Sequence, residues 1–297
     1  MKVLSLFDGI SCGRVALERA GIEVEQYYAS EIDKYAIQIS KKNYPDIVRL
    51  GDITKWKEWD IKWENIDLLI GGSPCQGFSF SGKMLNFEDP RSKLFFVFVD
   101  ILNHIKKFNP NVKFMLENVR MKQEWQDIIS KYLGVKPVLI NSSLFSAQSR
   151  NRLYWANWDV PTPTEDKQIM WSNVMIHKAT NVYYLTQKMM DWINKSEDRK
   201  KKFKIYTPDS HCKMQMIEAS HYKGISNQRC FAILDNGKLR YIHPVECERL
   251  QNLPDDYTKG VSNTQRYKMI GNGWTVDVIA YICNYINVKH NNLKEAV

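Results

Sequence analysis

Over the first half of the chain, short apolar runs alternate with longer stretches whose apolar positions recur every three or four residues. VLSLF (3–7) precedes GRVALERA (13–20), QYYASE (26–31) precedes DKYAIQISKKN (33–43), and DLLIGG (67–72) precedes LFFVFVDILNHIKKF (94–108). VKFMLEN (112–118), QEWQDIISKYL (123–133) and two strand-like runs near 136–141 and 152–157 continue the rhythm. The short runs fit buried strands and the long ones helices, with Phe95, Phe96 and Phe98 as helix core. This alternation predicts parallel βαβ units, hence a doubly wound, mostly parallel α/β domain over residues 1–158.

After Trp158 the rhythm stops. DVPTPTEDKQ is punctuated by proline and SEDRKKKFK is a charge run, so residues 159–240 are expected to form a smaller, irregular lobe. Near its end, Phe231–Leu234 and Leu239–Ile242 flank Asp235-Asn-Gly237, and the Asn-Gly step predicts a tight hairpin. Pro244 suits the first turn of a helix through VECERLQNL. WTVDVIAYICNYI (274–286) predicts a final helix, so residues 241–297 are expected to return to the first domain.

Composition adds bounds. The 297 residues, 44% hydrophobic and 12% aromatic, can bury a full core and a second lobe. No apolar run approaches the roughly 18 residues of a membrane helix, and the run in MKVLSLFDGIS is too short for a signal peptide, so a soluble, cytoplasmic protein without a membrane partner is expected. The six cysteines contain no C-x-x-C pair, and the spacing of His211, Cys212, His221 and Cys230 fits no zinc pattern. Reduced thiols and no metal follow. A net charge of +9 favours an acidic partner, most commonly nucleic acid.

In an open parallel sheet, ligands bind beyond the carboxyl ends of the strands. Four predicted strand ends there carry unusual residues: Phe7-Asp-Gly-Ile-Ser-Cys-Gly13, Glu31, Gly71-Gly-Ser-Pro-Cys75 and Glu117-Asn-Val119. A glycine turn opening a helix admits a ligand to the backbone, and an acid ending the next strand can accept ribose hydroxyls. That pair suggests a nucleoside cofactor, although such a turn is also common as plain structure. Cys75 follows a proline in a glycine- and serine-rich loop, which displays a thiol where a packed one would sit inside an apolar run.

Together these residues resemble the C5-cytosine-specific DNA methyltransferase family, in the family's motif order over nearly the whole chain. The resemblance implies that LFDGISCG, with Phe7, Asp8, Gly9, Ile10, Ser11, Cys12 and Gly13, is the S-adenosyl-L-methionine loop. It implies that Glu31 holds the ribose, that Asp52 and Ile53 of Gly51-Asp-Ile meet the adenine, that Ile32 and Pro74 are also at the cofactor, and that SPCQGFS carries the nucleophile Cys75. Glu117-Asn118-Val119, Gln148-Ser-Arg150-Asn-Arg152, RYIHPVECERLQNLPDDY and Ile270-Gly-Asn-Gly-Trp274 match the remaining blocks, with Asn272, Gly273 and Trp274 expected at the cofactor. The usual bacterial loop has glycines two apart after the phenylalanine, whereas Gly9 and Gly13 are four apart. In that spacing and in Trp274 the chain looks more like the animal de novo methyltransferases.

The residue types support the implied chemistry. A thiolate adding at cytosine C6 makes C5 nucleophilic enough to attack a sulfonium methyl group. Cys75 would supply the thiolate, with Arg150 and Arg152 as the charges that favour it. Glu117 would hold cytosine N3 and the exocyclic amine. No residue stands out as the base for the C5 proton. The target base must leave the duplex stack to be reached. Contacts to duplex DNA are expected from Gln76, Ser79, Gln148, Arg199, Lys200, Lys201, Lys202 and Arg229, with base readout in the stretch 209–229.

Plainer roles compete for some positions: Glu117 as a solvated strand end, Arg150 and Arg152 as edge-strand charges, Asp52 as a turn former, and Arg199–Lys202 as a solvated run. Two other functions compete as well. The branch of the family that methylates cytosine C5 in tRNA typically carries a Cys-Phe-Thr insertion, which does not occur in this sequence. Silent methyltransferase-like regulators lose catalytic or cofactor residues, and none of those named is missing. The length fits a bacterial or phage modification enzyme, monomeric by default, with or without a partner restriction endonuclease.

Overall fold

The computed structural model describes residues 1–74, 90–180, 183–227 and 229–286. The chain opens with β1 (Lys2–Leu6), α1 (Cys12–Arg19), β2 (Gln26–Ser30), α2 (Lys34–Asn43) and a short β3 (Val48–Arg49). Next come β4 (Leu68–Gly72), α3 (Pro90–Phe108), β5 (Lys113–Val119), α4 (Gln123–Leu133), β6 (Val138–Asn141), β7 (Gln148–Ser149) and β8 (Asn151–Ala156). The main sheet has seven strands in the order β3-β2-β1-β4-β5-β8-β6. The first five are parallel, and β8 runs antiparallel to both neighbours. This is the doubly wound α/β architecture expected from the alternation, with its order reversing between β1 and β4.

Period-two alternation along β1 divides its side chains between the two faces. Val3 joins a core with α1, α2 and the last helix, while Leu4 and Leu6 join a core with Phe95, Phe98 and Ile101 of α3 and Ile129 of α4. The sheet is therefore covered on both sides, and its strand ends are left open for chemistry.

The second lobe contains more regular structure than the sequence suggested. It holds α5 (Trp171–Val174), α6 (Gln187–Asn194), α7 (Glu197–Lys202), β9 (Lys204–Tyr206), β10 (Met214–Gln215), β11 (Phe231–Asp235) and β12 (Lys238–Arg240). β11 and β12 form the expected hairpin, and Asn236 and Gly237 both have the positive φ of the tight turn, at 49° and 72°. β9 adds to β11 in parallel. Arg240 is fully buried beneath this sheet, paired with Asp235 at 2.9 Å and Glu246 at 2.7 Å, so each charge has its counter-charge.

The chain continues into α8 (Pro244–Leu250), α9 (Asn263–Asn272) and α10 (Val276–Cys283). Pro244 opens α8 behind a His243 cap. The spacing of apolar residues predicts no helix at α9. The last helix begins at Val276, two residues later than the apolar run suggested, because Thr275 is its N-cap and Trp274 lies outside it. α10 packs in the α1 core, whereas Cys247, Leu250, Tyr267 and Ile270 pack with Trp171, Tyr206 and Phe231 of the second lobe. Residues 244–272 thus belong to the junction between the lobes.

Candidate active site

The turn after β1 is held in an unusual shape. Phe7, Gly9 and Ser11 all take positive φ, at 58°, 59° and 62°. The Asp8 carboxylate accepts the Ser11 hydroxyl at 2.5 Å and the Tyr27 hydroxyl at 2.8 Å, and burial raises its pKa in spite of those donors. Glu31, just past β2, accepts the Gly9 amide on one oxygen and the Ile32 and Asp33 amides on the other, each at 2.8 Å. The acid expected at the ribose is therefore tied to the glycine turn. Beside it Ile32 is 73% exposed, an apolar surface open to a ligand.

The two glycines of this turn do different work. A side-chain carbon on Gly9 would meet nothing within 4 Å, so the space beside its α-carbon is open although its amide is held by Glu31. One on Gly13 would lie 2.7 Å from Ile70 and 2.9 Å from the Tyr27 hydroxyl, so Gly13 serves helix packing. Ile10 and Cys12, expected at the cofactor, have their side chains in the core, and burial pushes the Cys12 thiol up to about 12. Asp52 caps the turn at 53–58 by accepting the Thr54 amide and hydroxyl at 2.8 Å, and is half-buried, with its pKa lowered by those bonds. The Ile53 side chain, also expected at the cofactor, is in the core.

At the end of β4 the glycines again make room. A side-chain carbon on Gly72 would sit 2.9 Å from both Glu117 Oε2 and Trp274 Nε1. Gly72 pairs in register with Glu117 on β5. Glu117 is 9% exposed and engaged on both oxygens: Arg152 Nε meets Oε1 at 3.0 Å, and the Trp274 indole N–H donates to Oε2 at 3.1 Å. The next residue, Asn118, donates to the Ser73 hydroxyl at 3.2 Å and so braces the start of the segment that leads to Cys75. Ser73 and Pro74 are described. Cys75, Gln76 and Ser79 lie outside the described residues.

Three expected contacts are relocated. Arg150, expected beside the thiolate, is 5% exposed and donates to the carbonyls of Ile217 at 3.0 Å, Gly271 at 3.1 Å and Gly273 at 3.2 Å. Burial first, and Arg152 second, lower its pKa to about 9, which leaves it charged at neutral pH. Its guanidinium clamps backbone carbonyls. Gln148, expected at DNA, is fully buried; it donates to Leu250 O at 2.5 Å and Gln251 Oε1 at 2.9 Å and accepts the Ile217 amide at 3.2 Å. Arg229 is turned inward onto the Ser220 hydroxyl at 2.5 Å and the Gly224 carbonyl at 3.3 Å. All three hold the second lobe in shape, because their donors are already taken by protein acceptors.

The charge run is helix α7. Arg199 stacks over the Trp192 ring at 4.1 Å and donates to the Trp192 carbonyl. Lys200 pairs with Glu197 at 2.6 Å and Lys202 with Asp198 at 2.8 Å, and Lys200, Lys201 and Lys202 are all exposed. Nearer the hairpin, a cavity of 460 Å³ is lined by Tyr183, Tyr184, Tyr222, Lys223 and Tyr241 among others, and none of the strand-end residues borders it. Among the described residues no group of three His, Cys, Asp or Glu is placed to hold a metal, and no helix is long and apolar enough to cross a membrane.

Sequence reasoning missed the pairing of Trp274 with Glu117 and the close approach at Gly271. A side-chain carbon on Gly271 would fall 2.2 Å from backbone atoms of Glu218 and Ala219. The signal for both was the doubled glycine of Ile270-Gly-Asn-Gly-Trp274.

This strand-end arrangement can be set beside known proteins. The model of the C-5 cytosine-specific DNA methylase family matches residues 1–287. The chain belongs to that family. As a C-5 cytosine-specific DNA methylase it is an enzyme, a DNA cytosine-5-methyltransferase. It is 31% identical to the Type II methyltransferase M1.ScrFI of Lactococcus lactis subsp. cremoris, over 94% of this chain and 76% of that one. It is 28% identical to the Type II methyltransferase M.HhaI of Haemophilus parahaemolyticus, over 98% and 95% of the two chains. Among solved structures, the Entamoeba histolytica methyltransferase EhMeth superposes with a TM-score of 0.75 at 20% identity, covering 96% of this chain and 97% of its own. The Spodoptera frugiperda DNMT2 mutant gives 0.72 at 21% identity, covering 96% and 99%. These two likenesses show the fold of the methylase.

Proposed function

We propose that the protein transfers a methyl group from S-adenosylmethionine to C5 of a cytosine in duplex DNA, at a specific short sequence, through a covalent bond between Cys75 and C6. The observation that carries this reading is Glu117, fixed by Arg152 and Trp274 at a strand end beside the segment that leads to Cys75. Bound as its family implies, the cofactor supplies an electrophilic methyl group. The residues fit it: the open space beside the Gly9 α-carbon suits the methionine end, Glu31 the ribose hydroxyls, and exposed Ile32 and half-buried Asp52 the adenine.

The chain's own residues would then act on the base. Cys75 adds to C6 as thiolate, and the electron pair of the C5–C6 bond becomes available at C5. Glu117 accepts the exocyclic amine with a lone pair that Arg152 and Trp274 leave free, and its contact with N3, which has no hydrogen of its own, is made through a proton shared between the two as sulfur adds. Arg152 keeps that carboxylate in place while charge develops in the ring. After methyl transfer, loss of the C5 proton and expulsion of Cys75 restore aromaticity. Extruding the base costs a few kcal/mol, offset by these pocket contacts. Readout of flanking bases is assigned to the 209–229 stretch, where Tyr222 and Lys223 offer a stacking face and a donor. The Type II names of the relatives support a place in a restriction-modification system with a partner endonuclease.

The test is transfer of labelled methyl from S-adenosylmethionine to unmethylated DNA, with bisulfite mapping of the product. We expect C5-methylcytosine within one short motif, and a denaturation-resistant adduct with 5-fluorocytosine DNA. Cys75→Ser should abolish both. An adduct that survives in the mutant would show that another residue is the nucleophile.

A further inference from the structure

Trp274 stands between two halves of the site. On one side its ring is 3.3 Å from where a side-chain carbon on Gly13 would be, against the helix that the cofactor turn opens. On the other its N–H donates to Glu117 Oε2 at 3.1 Å. The space for that bond exists because position 72 has no side chain.

The backbone on either side of Trp274 is pinned. The Gly273 carbonyl accepts from Arg150 at 3.2 Å and from Gln251 at 3.0 Å. The Thr275 hydroxyl donates to Gln251 Oε1 at 2.7 Å and is 3.1 Å from the Ser142 hydroxyl. Gln251 and Thr275 are themselves buried. A half-buried indole held at both ends of its backbone is preorganised, so its donor bond does not have to be assembled when substrate arrives.

We infer that Trp274 is a positioning residue for Glu117, and that its ring and its N–H have separable roles. The ring packs the cofactor turn, and the N–H fixes the plane of the catalytic carboxylate. Arg152 alone would hold one oxygen and leave the carboxylate free to rotate about its last bond. A second donor on the other oxygen removes that freedom. The carboxylate then keeps one fixed edge, which can accept the exocyclic amine of a cytosine and share a proton with N3. The inference rests on the proposed reaction at Glu117.

Trp274→Phe separates the two roles, since it keeps an aromatic ring and deletes the donor. We expect kcat for methyl transfer to unmethylated DNA to fall roughly ten- to a hundredfold, the value of one hydrogen bond to a charged group. The Kd for S-adenosylmethionine, measured by calorimetry without DNA, should stay within about twofold. Trp274→Ala should weaken cofactor binding as well. In a Glu117→Gln background, Trp274→Phe should cost much less than in the wild type, because the two residues act as one unit.

Unchanged kcat in Trp274→Phe would overturn the inference, and so would a loss fully additive with Glu117→Gln. A Trp274→Phe protein that no longer binds cofactor would overturn the separation of ring and N–H. Absence of methyl transfer by the wild-type protein would instead defeat the proposed function.

Discussion

Glu31 accepts three backbone amides before any ligand arrives, so its carboxylate is both an anchor of the glycine turn and a surface for the ribose. A bond to a charged acceptor is worth about 1.5–3 kcal/mol, so Glu31→Ala should weaken S-adenosylmethionine binding by roughly one to two decades. Calorimetry that finds unchanged affinity would remove Glu31 from the cofactor site. At this scale the sequence made some residues legible and hid others. Glu31 and Glu117 stand at strand ends, where an acid has no packing reason to be. Arg150 and Gln148 lie two residues apart beside Arg152 in an equally polar stretch. Only the fold shows that the first two face carbonyls near residues 217, 250 and 271, while Arg152 faces Glu117. No local pattern carries such distant partners.

Helices with a continuous apolar stripe, such as α3 and α4, were readable from spacing, and so was the hairpin from its Asn-Gly step. α9 was not, because its residues NTQRYKMIGN carry, next to the end, a glycine that looks like a helix breaker. Its place depends on contact: Gly271 lets α9 press against the turn at 219–223. Gly271→Ala must push backbone aside, because the new carbon would fall 2.2 Å from Ala219 N. We expect a loss of at least about 1–3 kcal/mol of stability, read as a lower midpoint in denaturant. An unchanged midpoint would mean that the two elements are not in such close contact. The run at 199–202 became a helix for a reason that was present in the sequence, since Glu197 and Asp198 occupy its first turn and pair with lysines one turn later.

Across the molecule, the unbroken basic run Arg199–Lys202 lies on a lobe separate from the strand-end chemistry. We propose α7 as a phosphate contact, with Lys200 paired to Glu197, Lys202 paired to Asp198, and Lys201 in neither pair. Replacing Lys200, Lys201 and Lys202 together with alanine should lower DNA affinity. It should also flatten the plot of log K against log salt by about 0.9 for each phosphate that these lysines no longer neutralise, without changing which cytosine is methylated. Unchanged affinity and slope would make α7 a solvated helix only. A changed target with an unchanged slope would move it into base recognition. The doubly wound sheet was legible because its strands and helices each carry their own periodicity. The junction at 244–272 was not, since its helices divide their apolar residues between two cores.

α10 closes the face of the sheet that α1 began. Arg19 and Asp277 form an ion pair across 258 residues of sequence. A ribosome adding about 5–20 residues per second takes roughly 13–52 seconds to make the stretch between them. Throughout that interval Val3, Val15 and Ala16 wait for Val276, Val278 and Ile279, with which they share a core. The nascent chain therefore carries a half-covered sheet through most of its synthesis. Its yield in a cell should depend on chaperones that shelter apolar surface during that interval more than on the stability of the finished protein.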